Sequence, residues 1–431
     1  MMSGTEIEHH KRMSAGEAVG LIKSNDRILL EGSFGEPVSL IEALMQQRGR
    51  LRDVEVITAS PIQAQRLADE GMAAHFKVKV FFARGGIGGA IRQGRAEYIP
   101  VSLWGLVRAL EDATLPLDAV LIQVSPPDQD GYCSLGISVG YLEPAVRRAK
   151  LVIAEVNEQM PTTFGDSLIH LSKIDGIVRS SHPLPELQPP GMGPREERIG
   201  QYVAELIPDG ATVEIGIGGI PSAVARFLRG KKDLGIHSGM ISDSVKELME
   251  SGVVTNSKKP IDRGKSVAAM AMGSNGFYRW LHENRTVLMR SASYTHCPAV
   301  LSRITGLVAL NSALQVDLSG QANGEAVSGL VVSGMGGGVD FARGACSAAK
   351  GISIIALPSA TEDDKGSRIV PFLGQGSPVT FQRSDVHFVV TEYGVADLRC
   401  KSLLERAKAL IQVAHPAFRE DLINHVRKAA L

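Results

Sequence analysis

One short pattern occurs twice in this chain, and it limits the folds available. Ile28–Leu44 reads ILLEGSFGEPVSLIEAL and Thr212–Leu228 reads TVEIGIGGIPSAVARFL. Aligned without a gap, they match Gly32 with Gly216, Gly35 with Gly219, Pro37 with Pro221 and Leu44 with Leu228. Each copy predicts a buried strand, a glycine turn and a helix with proline in its first turn, where a missing N–H costs nothing. A strand that runs straight into a helix belongs to α/β architecture, and two copies so far apart imply two similar domains.

The remaining pattern agrees. Short apolar runs such as RILL, VEVITA, AVLIQV, LVIAEV, TVEIGI, ISIIALP and VHFVVTE alternate with helical segments such as SLIEALMQQ and SAVARFLRG. Continuous Val/Ile/Leu runs are strands buried on both faces, so the sheets are expected to be mainly parallel. A length of 431 residues favours two domains over one. The seam is expected in SSHPLPELQPPGMGPREERIG, rich in proline and glycine, which gives domains of residues 1–190 and 191–431.

Charge excludes several functions. Lys plus Arg and Asp plus Glu each number 46, so no surplus attracts nucleic acid or an anionic membrane surface. Cys133, Cys297, Cys346 and Cys400 form no CxxC pair, which suits free thiols in a reducing cytosol. No run approaches the roughly 18 apolar residues of a membrane span, and the start lacks a leader-like apolar stretch. The expectation is a cytoplasmic protein with no membrane or nucleic-acid partner. The histidines show no HExxH spacing, and no metal site is expected.

The second copy of the repeat carries the more suggestive turn. GIGGIP leaves backbone N–H groups pointing outward at a helix start, a place for a phosphate, a carboxylate or a developing oxyanion; a tight connection with no ligand is the plain alternative. SGMGGGVDF, Ser333–Phe341, is a second glycine cluster, either a ligand loop or a bulged hairpin. Neither is a Walker A loop, since no GK[ST] follows, and GIGGIP ends in proline rather than completing a dinucleotide fingerprint. Two hydrolase-like matches, GISVG around Ser138 and GDSL around Ser167, lack the context a nucleophile needs and are read as accidental.

Several segments together resemble the acetyl-CoA hydrolase/transferase family, which includes 4-hydroxybutyrate and butyrate CoA-transferases. They are LIQVSPPDQDGYCSLGISVGY, LVIAEVNEQMPTTFGDSLIHLSKIDGIV, EIGIGGIPSAV, SGMGGGVDFARGA, SIIALPSATEDDKGSRIVPFL and VVTEYGVADLRCKSLLERAKALIQVAHPAFREDL, in order over nearly the whole chain. The resemblance implies two similar domains of the CoA-transferase fold, with acyl-CoA as the small-molecule substrate in the cleft between them. It also implies a homodimer or higher homo-oligomer. Gly216, Gly218, Gly219, Ile220 and Pro221 would lie at the CoA thioester, and Gly336, Gly337 and Gly338 would border the coenzyme.

One departure from the resemblance bears on the chemistry. Where the transferases read a loop like HTEMFSDG, whose glutamate forms a glutamyl-CoA thioester, this chain reads HSGMISDS, His237–Ser244. Gly239 stands in the glutamate's place, and glycine has no side chain to form that intermediate. Nearby, YTHCP, Tyr294–Pro298, replaces YVNDP, so His296 and Cys297 enter the same neighbourhood. The expectation is thioester hydrolysis or direct acyl transfer, with a general base drawn from His237, His296, Glu214 or Asp243. The alternatives are transfer through another carboxylate such as Glu325 or Glu214, ring-opening or carbon–carbon cleavage of an acyl-CoA, and a non-catalytic CoA-binding relative. Each residue also has a structural reading. Ser238 is a nucleophile or a small residue filling a threonine's place, Cys297 a reactive or an inert thiol, and Asp243 a base or a helix cap.

Overall fold

The computed structural model describes residues 8, 10–188 and 191–429. Pro189 and Pro190, inside the expected seam, lie outside them. The chain divides into two compact units, one running to Leu187 and including Val267–Thr295, the other Gln188–Ser266 with His296–Leu431. The division therefore differs from a single cut near residue 190: Val267–Thr295 groups with the first unit although it lies far along the chain.

The first unit is built on β1 (Arg27–Leu30), α1 (Val38–Gln46), β2 (Val54–Ala59), β3 (Phe76–Phe82), β4 (Ala96–Tyr98), β5 (Ala119–Val124), β6 (Leu151–Asn157) and β7 (Gly176–Ser180). Its seven strands are all parallel, in the order β7-β6-β5-β1-β2-β3-β4. Every residue of β5 is buried, as expected for a strand covered on both faces.

The second unit contains α2 (Pro194–Leu206), β8 (Thr212–Ile215), α3 (Gly219–Phe227), β9 (Gly235–Ile241), α4 (Asp243–Glu250), β10 (Leu307–Ser312), α5 (Gly338–Ser347), β11 (Ile352–Ala356), β12 (Phe388–Thr391), β13 (Gly394–Asp397) and α6 (Leu403–Val413). Strand order is β9-β8-β10-β11-β12-β13, with only β13 antiparallel. One core cluster joins Ile355, Leu357, Phe381, Val389, Leu398 and Leu410, and a second packs Phe341 and Ala345 of α5 on Leu301, Leu307 and Ala309.

Both copies fold as a strand, a glycine-bearing turn and a helix; Pro221 lies in the first turn of α3 as predicted, whereas Pro37 sits at the cap position before α1, and both copies occupy the same topological place. β1 lies between β2 and β5, and β8 lies between β9 and β10. From each of these strands the chain order runs outward in both directions, and in open α/β sheets ligands bind beyond the strand ends at that reversal. Only Gly218 fits the second turn: its φ of 118° is closed to L side chains, and it sits at the start of α3 with no side-chain cap.

Two local expectations differ from the fold. Ile236–Val245 reads as a strand end opening into a loop, yet β9 continues to Ile241 and α4 begins at Asp243. Ser242 holds the cap position, so Asp243 is the first helical residue, favoured there by the helix dipole. The Gly336–Gly338 run is the start of α5, not a bulged hairpin.

Helix α2 seats α3 through a close crossing at Gly200, where an added Cβ would lie 2.8 Å from Ala223 Cβ and 3.0 Å from Val224 N. Gly200→Val is expected to destabilise the chain by about 1–3 kcal/mol through overpacking, read as a lowered urea midpoint. An unchanged midpoint would show that the crossing is slack.

Candidate active site

Two helix starts lie at the carboxyl ends of neighbouring strands in the second unit. α3 follows β8 through Gly216-Ile217-Gly218, and α5 begins over the end of β10, where a Cβ at Gly338 would overlap the Asn311 carboxamide. Neither helix carries a side-chain cap. First-turn N–H groups have no partner within their own helix, so these two starts present backbone donors and the positive ends of their dipoles. Gly216, Gly218, Gly219, Gly336, Gly337 and Gly338 are half-buried, while Ile220 and Pro221 are buried beneath the turn.

Strand β9 carries the stretch that replaces the expected glutamate loop. Alternation puts His237, Gly239 and Ile241 on one face. Phe341 of α5 packs there, its ring centroid 6.3 Å from that of His237 and 4.8 Å from that of His296. A Cβ at Gly239 would lie 3.1 Å from His296 Nε2 and 3.5 Å from Phe341 Cε2. A Cβ at Gly337 would overlap the same imidazole. The structure thus brings Gly239, His296, Gly337 and Phe341 together, with His237 alongside.

Ser238 is occupied differently. Its hydroxyl donates to Ile215 O at 3.0 Å and accepts from Ile215 N and Met240 N, each at 3.3 Å. The side chain straps β9 to the end of β8, directly before the glycine turn. Glu214, one residue earlier on β8, turns toward β10. Its Oε2 accepts from Leu310 N at 3.0 Å and from Asn311 Nδ2 at 3.3 Å. Burial pushes its pKa up to about 8, against the pull of these two bonds, so at neutral pH it is largely a protonated acid.

His296 is 1% exposed. Burial, with a smaller contribution from His237, pushes its pKa down to about 3, so the ring is neutral at physiological pH. Cys297 is half-buried at the start of the short helix Pro298–Leu301. Glu325 is buried and accepts from Thr380 Oγ1 at 2.6 Å. Sequence reasoning did not single out Asn311 or Phe341. Asn311 lies near the end of a mainly apolar strand and Phe341 falls on a helical apolar face, so neither carries a signal outside its fold.

The hydrolase-like matches resolve as structure. Ser167 is buried and donates to Thr163 O at 2.7 Å. Ser138 is buried at an isolated bridge to Met270, not at a strand-to-helix elbow. A surface cavity of about 350 Å³ in the first unit is lined by Glu143, Arg147, Asp166 and Ser291. Its charges are already matched, Arg147 with Glu143 and Arg290 with Asp166. Among the described residues no group of three or more potential ligands is placed to hold a metal, and no helix is long and apolar enough to cross a membrane.

Comparison with known proteins decides the family. The N-terminal domain of acetyl-CoA hydrolase/transferase matches residues 5–185, and its C-terminal domain matches residues 273–426. The chain belongs to the acetyl-CoA hydrolase/transferase family. The 4-hydroxybutyrate coenzyme A transferase of Clostridium kluyveri is 45% identical over 427 residues, covering 99% of this chain and 100% of the relative. The crystal structure of RipA from Yersinia pestis superposes with a TM-score of 0.93 at 32% identity, covering 100% of both chains. A 4-hydroxybutyrate CoA-transferase from Porphyromonas gingivalis gives 0.85 at 34% identity over 99% of both. This acetyl-CoA hydrolase/transferase family member is accordingly an α/β enzyme whose strand order and glycine turns serve a fold shared along its whole length.

The titration of Glu214 has a measurable sign. The folded chain keeps a proton that an unfolded chain releases near 4.5, so the wild type loses stability as pH rises from there to about 8 and levels off above. Glu214→Gln keeps an oxygen for Leu310 N and Asn311 Nδ2 but cannot ionise. Its thermal midpoint should fall less between pH 5 and pH 8 and exceed the wild type's at pH 9. Parallel curves for the two proteins would refute a buried acid at this position.

Proposed function

We propose that this chain hydrolyses an acyl-CoA thioester, or transfers its acyl group directly, without a glutamyl-CoA intermediate. In this reading coenzyme A enters as part of the substrate, with its thioester at Gly216–Pro221 and its body along Gly336–Gly338. The observation that carries the proposal is Gly239: the residue expected to be the nucleophile has no side chain, and the direction a side chain would take is filled by His296.

The chemistry follows from the donors present. Attack on a thioester carbonyl builds negative charge on oxygen, and one well-placed backbone donor can be worth about 3 kcal/mol to that charge. The uncapped start of α3 offers such donors directly after β8. Ser238, by strapping β9 to Ile215, holds the turn in register, so its expected contribution is to position the donors. The protonated state of Glu214 supports the same reading, because a protonated carboxyl does not attack a carbonyl and does not accept the proton of water. The working location in this proposal is the cytoplasm, and the working form is a homodimer or higher homo-oligomer, as the family resemblance implies.

The test is a mass-resolved account of all CoA species after purified protein meets acetyl-CoA, butyryl-CoA and 4-hydroxybutyryl-CoA, with and without excess acetate. The expected outcome is free CoA accumulating at a rate indifferent to a carboxylate acceptor. If CoA moves between acyl groups at a rate that depends on acetate, another carboxylate serves as nucleophile, and Glu325 becomes the residue to replace.

A further inference from the structure

His296 is enclosed from three directions, and two of the three walls are glycines. On one side is Gly239 of β9, whose Cβ would meet Nε2 at 3.1 Å and Cε1 at 3.5 Å. On another is Gly337 at the start of α5, where a Cβ would overlap Nε2 and Cδ2. The third is Phe341, whose ring meets the imidazole edge-on, at 70° with centroids 4.8 Å apart. A side chain at Gly337 and this placement of the imidazole exclude each other, and one at Gly239 would require the ring to give way by a few tenths of an ångström. The two glycines and the histidine form one packed arrangement.

The arrangement also gives the ring a direction. The edge carrying Nε2 is the one turned toward both glycines. Although His296 is 1% exposed, Gly239 and Gly337, which its Nε2 edge faces, are each half-buried, so solvent reaches part of both glycines. We infer that His296 has taken over the place a side chain at position 239 would fill, and that its Nε2 is the general base that activates water for attack on the thioester. The inference rests on the hydrolytic reading above.

The step balances without another reagent. Water's oxygen bonds to the thioester carbonyl carbon as one of its protons passes to Nε2, which requires the tautomer protonated at Nδ1. The tetrahedral oxyanion then collapses, the carbon–sulfur bond breaks, and the imidazolium returns the proton to the departing CoA sulfur. The products are the free acid and CoA thiol. An imidazole so desolvated is a weak base in the empty site. Negative charge growing on the adjacent carbonyl oxygen favours the imidazolium, so proton transfer becomes favourable only as the reaction proceeds.

Two measurements test this, both with the full chain and acetyl-CoA. His296→Gln retains size and polarity but cannot carry the proton, and should lower kcat for free CoA release at least about 100-fold, with KM within about threefold of wild type. In His296→Ala, added imidazoles should restore release, at rates that rise with pKa across a methylimidazole series of similar size. Retention of more than a tenth of kcat in His296→Gln overturns the inference, as does rescue that is absent or indifferent to pKa. If His296→Gln does not fold, the rescue series decides alone. The steric part has its own readout: Gly239→Ala should lower the thermal midpoint in the wild-type background and not in His296→Ala, and equal losses in both overturn it. Acetate-dependent transfer by the wild type would defeat the hydrolytic reading itself, whereas hydrolysis that survives loss of His296 defeats only this assignment.

Discussion

The constraint on which this molecule depends is the direction of its strands. A parallel strand must be followed by a crossover, and a right-handed crossover lays its helix over the sheet with the helix start beyond the strand's carboxyl end. Where the order of strands reverses, two such crossovers leave in opposite directions and the strand between them ends uncovered. β8 occupies that place in the second unit. The glycine turn after Ile215, the uncapped start of α3 and the approach of α5 to the end of β10 all follow from it.

Within that frame, hydrogen-bonding groups are used to fix backbone rather than to supply charge. Ser238 ties β9 to the last residue of β8, and Glu214 ties the end of β8 to Leu310 and Asn311 of β10. These ties lie immediately before the turn whose geometry matters most, and they hold three adjacent strand ends in register. A hydroxyl or carboxyl committed in this way acts on chemistry through the positions of its neighbours.

The repeat, the parallel strand pattern and the glycine turns were legible because each is a local signal: apolar runs, glycines that admit a turn, and a proline allowed in a first helical turn. The family was legible from long segments in order. Other features were not. The grouping of Val267–Thr295 with the first unit is long-range and leaves no mark on composition. The continuation of β9 through Ser238 and Gly239 runs against the propensity of those residues, and the strap from Ser238 to Ile215 offsets it. His237, Glu214 and His296 were all readable as bases, because a sequence gives the identity of an ionisable group but not its burial. Burial separates them: Glu214 is held as an acid and His296 as a neutral ring.

That separation bears on how the site treats charge. A carboxylate at position 239 would place a fixed negative charge beside a carbonyl that becomes negative during reaction, a cost that covalent attack removes by consuming the charge. In the proposed reading, glycine at 239 removes the charge and the nucleophile together. With Glu214 protonated and His296 neutral, neither contributes an anion to oppose the developing oxygen, and the donors of two helix starts act in surroundings where their field is weakly screened. The same neutrality makes any buried positive charge costly unless it forms with the negative one, so in the proposed mechanism proton transfer to His296 and charge growth on oxygen advance together. A site arranged in this way favours attack by water concerted with its deprotonation over prior formation of a free hydroxide and imidazolium, and the preference comes from burial rather than from a particular residue's reactivity.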